Sequence, residues 1–231
     1  RSKKKIEKCL KSVLNQKYKN FEHIVIDGGS TDGTHEVLKK YSKHIKKIII
    51  KKDKNMWEAM NTGIKNSKGD IICILNSDDF FTKNALKVVN NYFSKNNIDY
   101  FFGSVKKRKI FYHFNPEKIN YKFNCYPSHS VSFFIKRKTQ HKVGLYDVKL
   151  NYCSDYDLFF KLFTNKNFKY MSGKRNELIG YFDIKGSSSR ISFLKTLYYE
   201  SKVRLKNRQN IFFVIFLVLL RILNKIKNYL F

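Results

Sequence analysis

Acidic residues are scarce in this sequence: 18 Asp and Glu stand against 47 Lys and Arg, and the formal net charge is +29. With only two prolines and ten glycines, the composition argues against a fold dominated by loops. The four cysteines include no C-x-x-C pair and no metal-ligand spacing, which favours reduced thiols in a cytosolic compartment over a disulfide framework. Hydrophobic residues make up 42% of the 231, so we expect one sizeable core, or at most two small domains, and not a disordered chain.

The excess of positive charge is compatible with several partners. It would suit nucleic acid, an anionic membrane surface or anionic substrates. It would equally follow from an AT-rich genome in which lysine fills ordinary surface positions. Faces that bind nucleic acid concentrate Lys and Arg together with aromatic residues, whereas lysine is spread along this entire chain. We therefore expect no nucleic-acid partner.

A long apolar run is also missing. Residues 211–220 are ten apolar residues ended by Arg221, whereas a membrane-spanning helix needs about 20. Beyond this point apolar residues alternate with Lys225 and Lys227. An apolar run beside basic residues fits a helix that lies in a membrane interface. The alternative is a C-terminal helix packed on this domain or on a partner.

Short apolar segments of strand length alternate with amphipathic helical patterns in the first half of the sequence. This alternation predicts βαβ units and an α/β fold with a mostly parallel sheet. After residue 105 the rhythm breaks, and the next clear pattern is a helix over 155–163. The strands are predicted at 21–26, 47–50, 71–75 and 100–104, and the helices at 4–15, 37–41, 57–66 and 83–94, with Thr31 or Asp32 as the cap of the second.

Carboxylates follow two of the predicted strands. In open α/β sheets, ligands bind at the carboxyl ends of the strands. Asp27 follows the first strand, and Asp78 and Asp79 follow the third. Adjacent carboxylates repel each other unless a cation or donors compensate, and a divalent ion held by one carboxylate and a substrate diphosphate would do so. The alternative is that the doublet caps the helix that starts near Lys83.

Three blocks of this sequence resemble family-2 glycosyltransferases. "SVLNQKYKNFEHIVIDGGSTDGT" is similar to the opening of that family, and "KKDKNMWEAMNTGIKNSKGDIICILNSDD" resembles its second nucleotide segment and D-x-D-type metal motif. "SHSVSFFIKRKTQHKVGLYDVKLNYCSDYDLFFKL" looks like the acceptor half. The resemblance implies an inverting enzyme with a Rossmann-like, nucleotide-diphospho-sugar transferase fold and C-terminal helices.

The resemblance also implies an organisation. Residues 1–105 would be the half that binds the nucleotide sugar, and 106–190 the half that binds the acceptor and supplies the catalytic base. Residues 191–231 would be a helical tail, with membrane association as one use. The family has a central first strand before the point where this chain starts, at Arg1 and with no signal peptide. We therefore expect a fragment that lacks this strand.

Five residues of the first half, Asp78 among them, take nucleotide-binding roles by resemblance. Asp27 would accept a hydrogen bond from the base ring, with Gly29 and Ser30 in the same loop. Asp53, after the second strand, would lie near the nucleotide. The alternative for Asp27 is a turn residue that opens the Gly28-Gly29 loop.

The remaining roles concern the diphosphate and the acceptor. Asp78 would lie on the ribose side and Asp79 would bind the metal. Asp155 would be the general base, in preference to Asp157, or else the N-cap of its helix. His129 would contact the donor phosphates, or else be a satisfied, partly buried histidine.

The function expected from these residues is metal-dependent, inverting glycosyl transfer. The donor would be a nucleotide-diphosphate sugar, UDP by default, with Mn²⁺ and Mg²⁺ left undistinguished. The acceptor would be a glycan or lipid-linked molecule in cell-surface polysaccharide synthesis, at the cytoplasmic face of a membrane. A nucleotidyltransferase of similar fold and a non-catalytic relative are the alternatives.

Overall fold

The computed structural model describes residues 3–122, 125–184 and 191–230, with side chains up to residue 226. The α-helices are α1 (Lys3–Leu14), α2 (Thr34–Tyr41), α3 (Met56–Asn66), α4 (Ala85–Lys95), α5 (Arg137–Val143), α6 (Ser154–Thr164), α7 (Phe193–Lys206) and α8 (Ile211–Leu230). The strands are β1 (Ile24–Asp27), β2 (Lys47–Ile50), β3 (Ile71–Cys73), β4 (Phe80–Phe81), β5 (Tyr100–Phe102), β6 (Ser104–Lys106), β7 (Ile110–Phe111), β8 (Phe133–Lys136), β9 (Tyr170–Ser172) and β10 (Leu178–Tyr181).

The predicted alternation of strands and helices is confirmed as far as β5. β1 and β2 pair in parallel, and Asp27 is the partner of Ile50, so the two strands end at the same edge. The second helix begins at Thr34, with Gly33 at the cap position, instead of being capped by Thr31 or Asp32. The Asp32 carboxylate nevertheless accepts from the Thr34 hydroxyl at 2.7 Å and from its N–H at 3.2 Å, which fixes the start of α2.

The sheets are mixed, and the prediction of a mostly parallel sheet is wrong. In the described part of the chain the sheet orders are β1-β2, β3-β8-β5-β9 and β4-β10-β6-β7. β8 lies between β3 and β5 and is antiparallel to both. The reason is the changed rhythm after residue 105: among the described residues no α-helix lies between β5 and β8, and β8 would need a long crossover, usually helical, to run parallel to β5.

The predicted strand over 100–104 is divided at Gly103 between two sheets. β5 belongs to one sheet and β6 to another. A Cβ on Gly103 would lie 2.2 Å from Ile179 Cγ1, so no larger residue fits where the chain passes from sheet to sheet.

Two hydrophobic clusters cover the faces of the β3-β8-β5-β9 sheet. Phe102 and Phe133 pack with α3 and α6 on one face, and Phe101 and Phe134 pack with α4 on the other. Successive side chains of a strand point to opposite faces, which explains the unbroken apolar runs. The predicted burial of the third strand on both faces is confirmed, since Ile72 belongs to the first cluster and its two neighbours pack against the second.

The C-terminal helices pack behind α6. Arg204 of α7 is fully buried and donates to the backbone carbonyls of Ile119 and Asn120. α8 packs on α7, and Arg221 of α8 forms an ion pair with the buried Glu200. α8 is therefore a helix packed on this domain, which confirms that alternative. Within the described part of the chain, no helix combines the length and apolar character needed to cross a membrane.

β1 and β3 belong to separate sheets. The expectation of a further strand before Arg1 stays a prediction. The division of the chain at residues 105 and 190 also stays a prediction. Part of the second boundary region, residues 185–190, lies outside the described residues.

Candidate active site

The loop after β1 is organised around the Asp27 carboxylate. Asp27 is 6% exposed, and its Oδ1 accepts from the Ser30 hydroxyl at 2.5 Å. Gly29 lies between these residues with a φ of 89°, which glycine adopts without strain. On the other side of the carboxylate, Oδ2 lies 2.6 Å from Nε2 of His35. Asp27 therefore has the turn role that the sequence left open, and it also has a second polar neighbour from α2.

Asp53 lies beside this loop. A Cβ on Gly28 would lie 3.8 Å from Asp53 Oδ2, so the segments that follow β1 and β2 are adjacent. Both carboxylate oxygens of Asp53 are buried and have no hydrogen-bond partner among the described residues. Burial raises the pKa of Asp53, and the charges of Glu58 and Asp27 raise it further. The carboxylates of Asp27 and Asp53, which follow two paired strands, are thus close enough to interact electrostatically. Both oxygens of Asp53 could accept a hydrogen bond from a ligand.

The Asp78-Asp79 doublet lies in the turn from β3 to β4. Asp79 is 1% exposed, and its Oδ1 accepts from the N–H of Asp183 at 2.8 Å. Its Oδ2 is buried and has no hydrogen-bond partner in the described part of the chain. Burial raises the pKa of Asp79 to about 7. α4 begins at Ala85 with Asn84 at its cap position, so the doublet does not cap this helix and that alternative is wrong.

Asp183 is a site residue that the sequence analysis missed. It follows β10, and its carboxylate forms an ion pair with Lys5. The charges of Asp78 and Asp183 both raise the pKa of Asp79. No local motif marks Asp183. It reaches the doublet because β10 pairs with β4, which places residues 104 positions apart in hydrogen-bond contact.

Asp155 lies in the first turn of α6. The helix begins at Ser154 with Cys153 at the cap position, so Asp155 is not the N-cap. Its Oδ1 accepts from the Tyr156 N–H at 2.9 Å, and its Oδ2 lies 3.4 Å from the Tyr126 hydroxyl, which donates to it. Burial raises the pKa of Asp155 to about 6, while these hydrogen bonds lower it. A carboxylate with such a pKa is ionised near neutral pH and still a useful proton acceptor.

Asp157, the other acidic residue of this motif, has a structural role. It is 1% exposed and is bound by Lys161 at 2.6 Å, by Lys206 at 3.2 Å and by the Asn207 side chain at 2.8 Å. Lys206 and Asn207 thereby link α6 to the C-terminal end of α7. The two carboxylates therefore point in different directions, as their spacing on a helix predicts.

His129 is satisfied within the protein. Its Nε2 lies 2.8 Å from the Tyr146 hydroxyl, and its ring contacts Trp57 and Phe159. Burial lowers the pKa of His129 to about 4, which keeps the imidazole neutral. The alternative of a satisfied, partly buried histidine thus describes it, and contact with the donor phosphates stays a prediction.

The residues around Asp79 fit a divalent ion that needs further ligands from a substrate. Among the described residues, no three His, Cys, Asp or Glu side chains converge to hold a metal ion by themselves. Asp79 Oδ2 is nevertheless a buried, unpartnered oxygen of the hard type that Mg²⁺ and Mn²⁺ prefer. One protein carboxylate together with substrate phosphates is a common way to bind Mg²⁺.

The fold is shared with solved glycosyltransferases. S. aureus TarS 1-349 in complex with UDP-GlcNAc matches with a TM-score of 0.67 and 16% identity, over 88% of this chain and 63% of that one. The mannosyltransferase PcManGT from Pyrobaculum calidifontis, in complex with GDP-Man and Mn²⁺, matches with a TM-score of 0.65 and 13% identity, over 90% and 61%. These likenesses define the class: a Rossmann-like α/β fold of the glycosyltransferase type.

The family follows from the sequence match. The profile described as Glycosyl transferase family 2 matches residues 1–174, and the chain belongs to this family. An uncharacterized glycosyltransferase of Rickettsia bellii is 31% identical over 175 residues, which cover 68% of this chain. The match spans 25% of that relative's length.

The two carboxylates of α6 should respond oppositely to replacement. The pKa of Asp155 is raised from 3.8 to about 6 in the folded state, so the folded protein binds the carboxyl proton of Asp155 more tightly than the unfolded chain does. The free energy of unfolding of the wild type therefore falls as the pH rises from 3.8 to about 6. We expect Asp155→Asn to gain on the order of 2 kcal/mol of unfolding free energy over wild type above pH 6, and little below pH 4.

Urea unfolding across this pH range measures the effect. Asp157→Asn is the matched control, since it breaks a buried ion pair and should destabilise the protein by about 1–3 kcal/mol at neutral pH. Parallel pH profiles for Asp155→Asn and wild type would contradict the prediction.

Proposed function

We propose that this chain is a metal-dependent, inverting glycosyltransferase. It moves one sugar from a nucleotide-diphosphate sugar, UDP-linked by preference, to a glycan or lipid-linked acceptor in cell-surface polysaccharide synthesis. The observation that carries the proposal is the set of buried, unpartnered carboxylate oxygens after two strands, on Asp53 and Asp79. Such oxygens cost free energy unless a ligand satisfies them.

The donor nucleotide lies against the ends of β1 and β2 in this proposal. Asp27 and Asp53 accept hydrogen bonds from the base and the adjoining part of the nucleotide, and Gly29 and Ser30 form the loop beside it. Gly29 has no side chain, so the loop backbone approaches the ligand closely. UDP is preferred because a neighbour of the same fold is bound to UDP-GlcNAc, although another is bound to GDP-Man.

The diphosphate lies against the turn after β3. Asp79 Oδ2 would hold the divalent ion, and Asp78 would lie on the ribose side. A bound divalent ion would neutralise the charge that develops on the departing diphosphate. Mn²⁺ is present in one neighbour of the same fold.

The acceptor is activated by Asp155. Its carboxylate takes the proton of the acceptor hydroxyl as the hydroxyl oxygen bonds to the anomeric carbon, and the bond to the nucleoside diphosphate breaks on the opposite face. One displacement of this kind inverts the configuration. Tyr126 donates to Oδ2 and so orients the carboxylate. A carboxylate held in one orientation can take the proton directly from the acceptor hydroxyl, so no further base is needed.

Metal-dependent UDP binding tests the donor half of the proposal. Calorimetry with UDP should show binding with Mn²⁺ that weakens at least about tenfold with chelator, because the ion would offset the negative charge of the diphosphate beside Asp79. Asp79→Asn should bind equally weakly with and without Mn²⁺. Asp70→Asn, which removes one exposed carboxylate, should retain the dependence on Mn²⁺.

The other outcomes separate the alternatives. Equal binding of UDP by wild type and Asp79→Asn in all conditions would refute the metal role of the doublet. Absence of binding to any nucleoside diphosphate would favour the non-catalytic relative. Release of pyrophosphate instead of a nucleoside diphosphate during turnover would favour the nucleotidyltransferase.

The pH dependence of turnover tests the base. Because Asp155 accepts a proton only when ionised, kcat should rise with pH through about 6, the raised pKa of this residue. Asp155→Asn should lose about 10²- to 10⁴-fold in kcat while binding UDP as wild type does. Release of UDP from the sugar donor in the presence of cell-envelope acceptors is the measurement. A variant with wild-type kcat would rule out Asp155 as the base.

We also propose that the C-terminal helices dock on the anionic cytoplasmic surface of a membrane. α8 buries Val214 and Leu217 against the domain but exposes a stripe of apolar side chains at helical spacing. The stripe comprises Phe212 (78% exposed), Phe216 (53%), Leu219 (54%) and Leu223 (62%). An exposed apolar stripe of this size marks an interaction surface.

The positive charge favours a lipid surface over a second copy of the chain as the occupant of this stripe. α8 contains no acidic residue, and the chain carries a net charge of +29, so two copies would repel each other. Anionic lipids attract such a surface, while the stripe inserts among the headgroups and acyl chains.

Vesicle flotation tests the docking. The protein should float with phosphatidylcholine vesicles that contain phosphatidylserine, less so with pure phosphatidylcholine and less again at high salt. Replacing Phe212 and Phe216 with serine should reduce flotation at least about fivefold, because two apolar side chains no longer insert. Phe111→Ser, an exposed phenylalanine of β7, is the control. Sedimentation of a lipid-free dimer that the double variant abolishes would contradict the proposal.

A further inference from the structure

The polar neighbours of Asp27 give this carboxylate a distinctive environment. The Ser30 hydroxyl lies 2.5 Å from Oδ1, and Nε2 of His35 lies 2.6 Å from Oδ2. The Ser30 N–H is 3.3 Å from each oxygen. Asp27 itself is 6% exposed, while the side chain of His35 is 47% exposed. The histidine therefore lies at the mouth of the loop, where a ligand of Asp27 would meet it.

The backbone holds His35 in this place. Gly33 has a φ of 83° and precedes α2. The Asp32 carboxylate accepts from both the N–H and the hydroxyl of Thr34, which anchors the first turn of the helix next to Asp27. His35 is the second residue of that turn. Its contact with Asp27 is set by the loop and does not depend on a flexible side chain alone.

Donors on both oxygens leave the Asp27 carboxyl group as an acceptor only. A carboxylate accepts about four hydrogen bonds. The Ser30 hydroxyl, the shared Ser30 N–H and His35 take three of these places, so one place remains for a donor on the ligand. His35 supplies the short contact to Oδ2. Without the histidine, Oδ2 would keep only the 3.3 Å contact to the Ser30 N–H, so the carboxylate would be held less firmly in the position that accepts from a ligand.

We infer that His35 is a positioning residue that selects the nucleobase of the donor by holding Asp27 as a hydrogen-bond acceptor. The inference rests on the proposed function, in which Asp27 meets the base. Uracil offers a ring N–H at N3 between two carbonyl groups, and guanine offers one at N1. Cytosine has a lone pair at N3, and adenine has one at N1. A carboxylate attracts the first pair and repels the ring nitrogen of the second.

UDP and CDP are the probes that isolate this effect. The two nucleotides have the same shape, ribose and diphosphate, and differ at N3 and C4 of the pyrimidine. Their contacts to the metal and to Asp79 are therefore common to both. The ratio of their dissociation constants reports the hydrogen bonding at Asp27.

Calorimetry with Mn²⁺ should give a wild-type preference for UDP over CDP of at least about tenfold, the scale of one or two buried hydrogen bonds. His35→Ala should weaken UDP binding about three- to tenfold and leave CDP binding nearly unchanged, so that the preference for UDP over CDP becomes smaller. His35→Gln, whose amide N–H can reach the position of Nε2, should restore much of this preference. His44→Ala, an exposed histidine after α2, is the matched control.

A double-mutant cycle separates positioning from a general loss of structure. If His35 acts through Asp27, the effect of His35→Ala on the UDP/CDP ratio should disappear in an Asp27→Asn background. A loosened helix would instead lower the affinity for both nucleotides in either background.

The outcomes distinguish this inference from the function on which it rests. Wild type that binds no nucleoside diphosphate would overturn the proposed function. Wild type that binds UDP, with an unchanged UDP/CDP ratio in His35→Ala, would overturn the role of His35 alone. A wild-type preference for CDP would do the same.

Discussion

Burial of carboxylates is the constraint on which this structure depends. A chain with few acidic residues buries Asp27, Asp79, Asp157 and Glu200. Each buried charge costs several kcal/mol unless it is paired or protonated. Asp157 and Glu200 are paired with cations from neighbouring helices, Lys206 of α7 and Arg221 of α8. These pairs stabilise the packing of α6, α7 and α8 and leave no capacity for a ligand.

The carboxylates of the candidate site are compensated less completely. Asp79 keeps one unpartnered oxygen and Asp53 keeps two among the described residues. Burial raises the pKa of Asp79 and of Asp155 towards neutral pH. Functional sites accept this kind of cost, because a ligand or a reacting group provides the missing partner. In the proposed function, the unpartnered oxygens of Asp53 and Asp79 meet a ligand, whereas the ion-paired Asp157 and Glu200 link helices.

The C-terminal helices connect the proposed membrane surface with the proposed base. Arg221 of α8 binds Glu200 of α7, and Lys206 of α7 binds Asp157 of α6. Asp155 lies two residues from Asp157 on the same helix. Docking of α8 on a lipid surface would thus place the base at a defined height above that surface, near an acceptor held by the membrane. In this proposal the packing of α7 and α8 would serve the function as well as the fold.

Local patterns predicted the elements that they specify directly. The helices α1, α3, α4 and α6 begin and end within three residues of their predicted bounds. An apolar stripe at helical spacing identifies a helix, and a short apolar run identifies a strand, whatever each of them packs against. The mixed sheets were missed. The orientation of β8 between β3 and β5 depends on which strand edges are open, and no local pattern records this.

The sequence by itself determined the α/β class, the family and the carboxylates that follow the strands, because these lie within short segments whose chemistry and spacing are visible locally. Only the tertiary structure decided how each carboxylate is used. Asp157 meets two lysines, Asp79 meets the Asp183 backbone, and Asp27 meets His35. Most of these contacts form only when separate elements pack together, and the burial that results raises the pKa of Asp79.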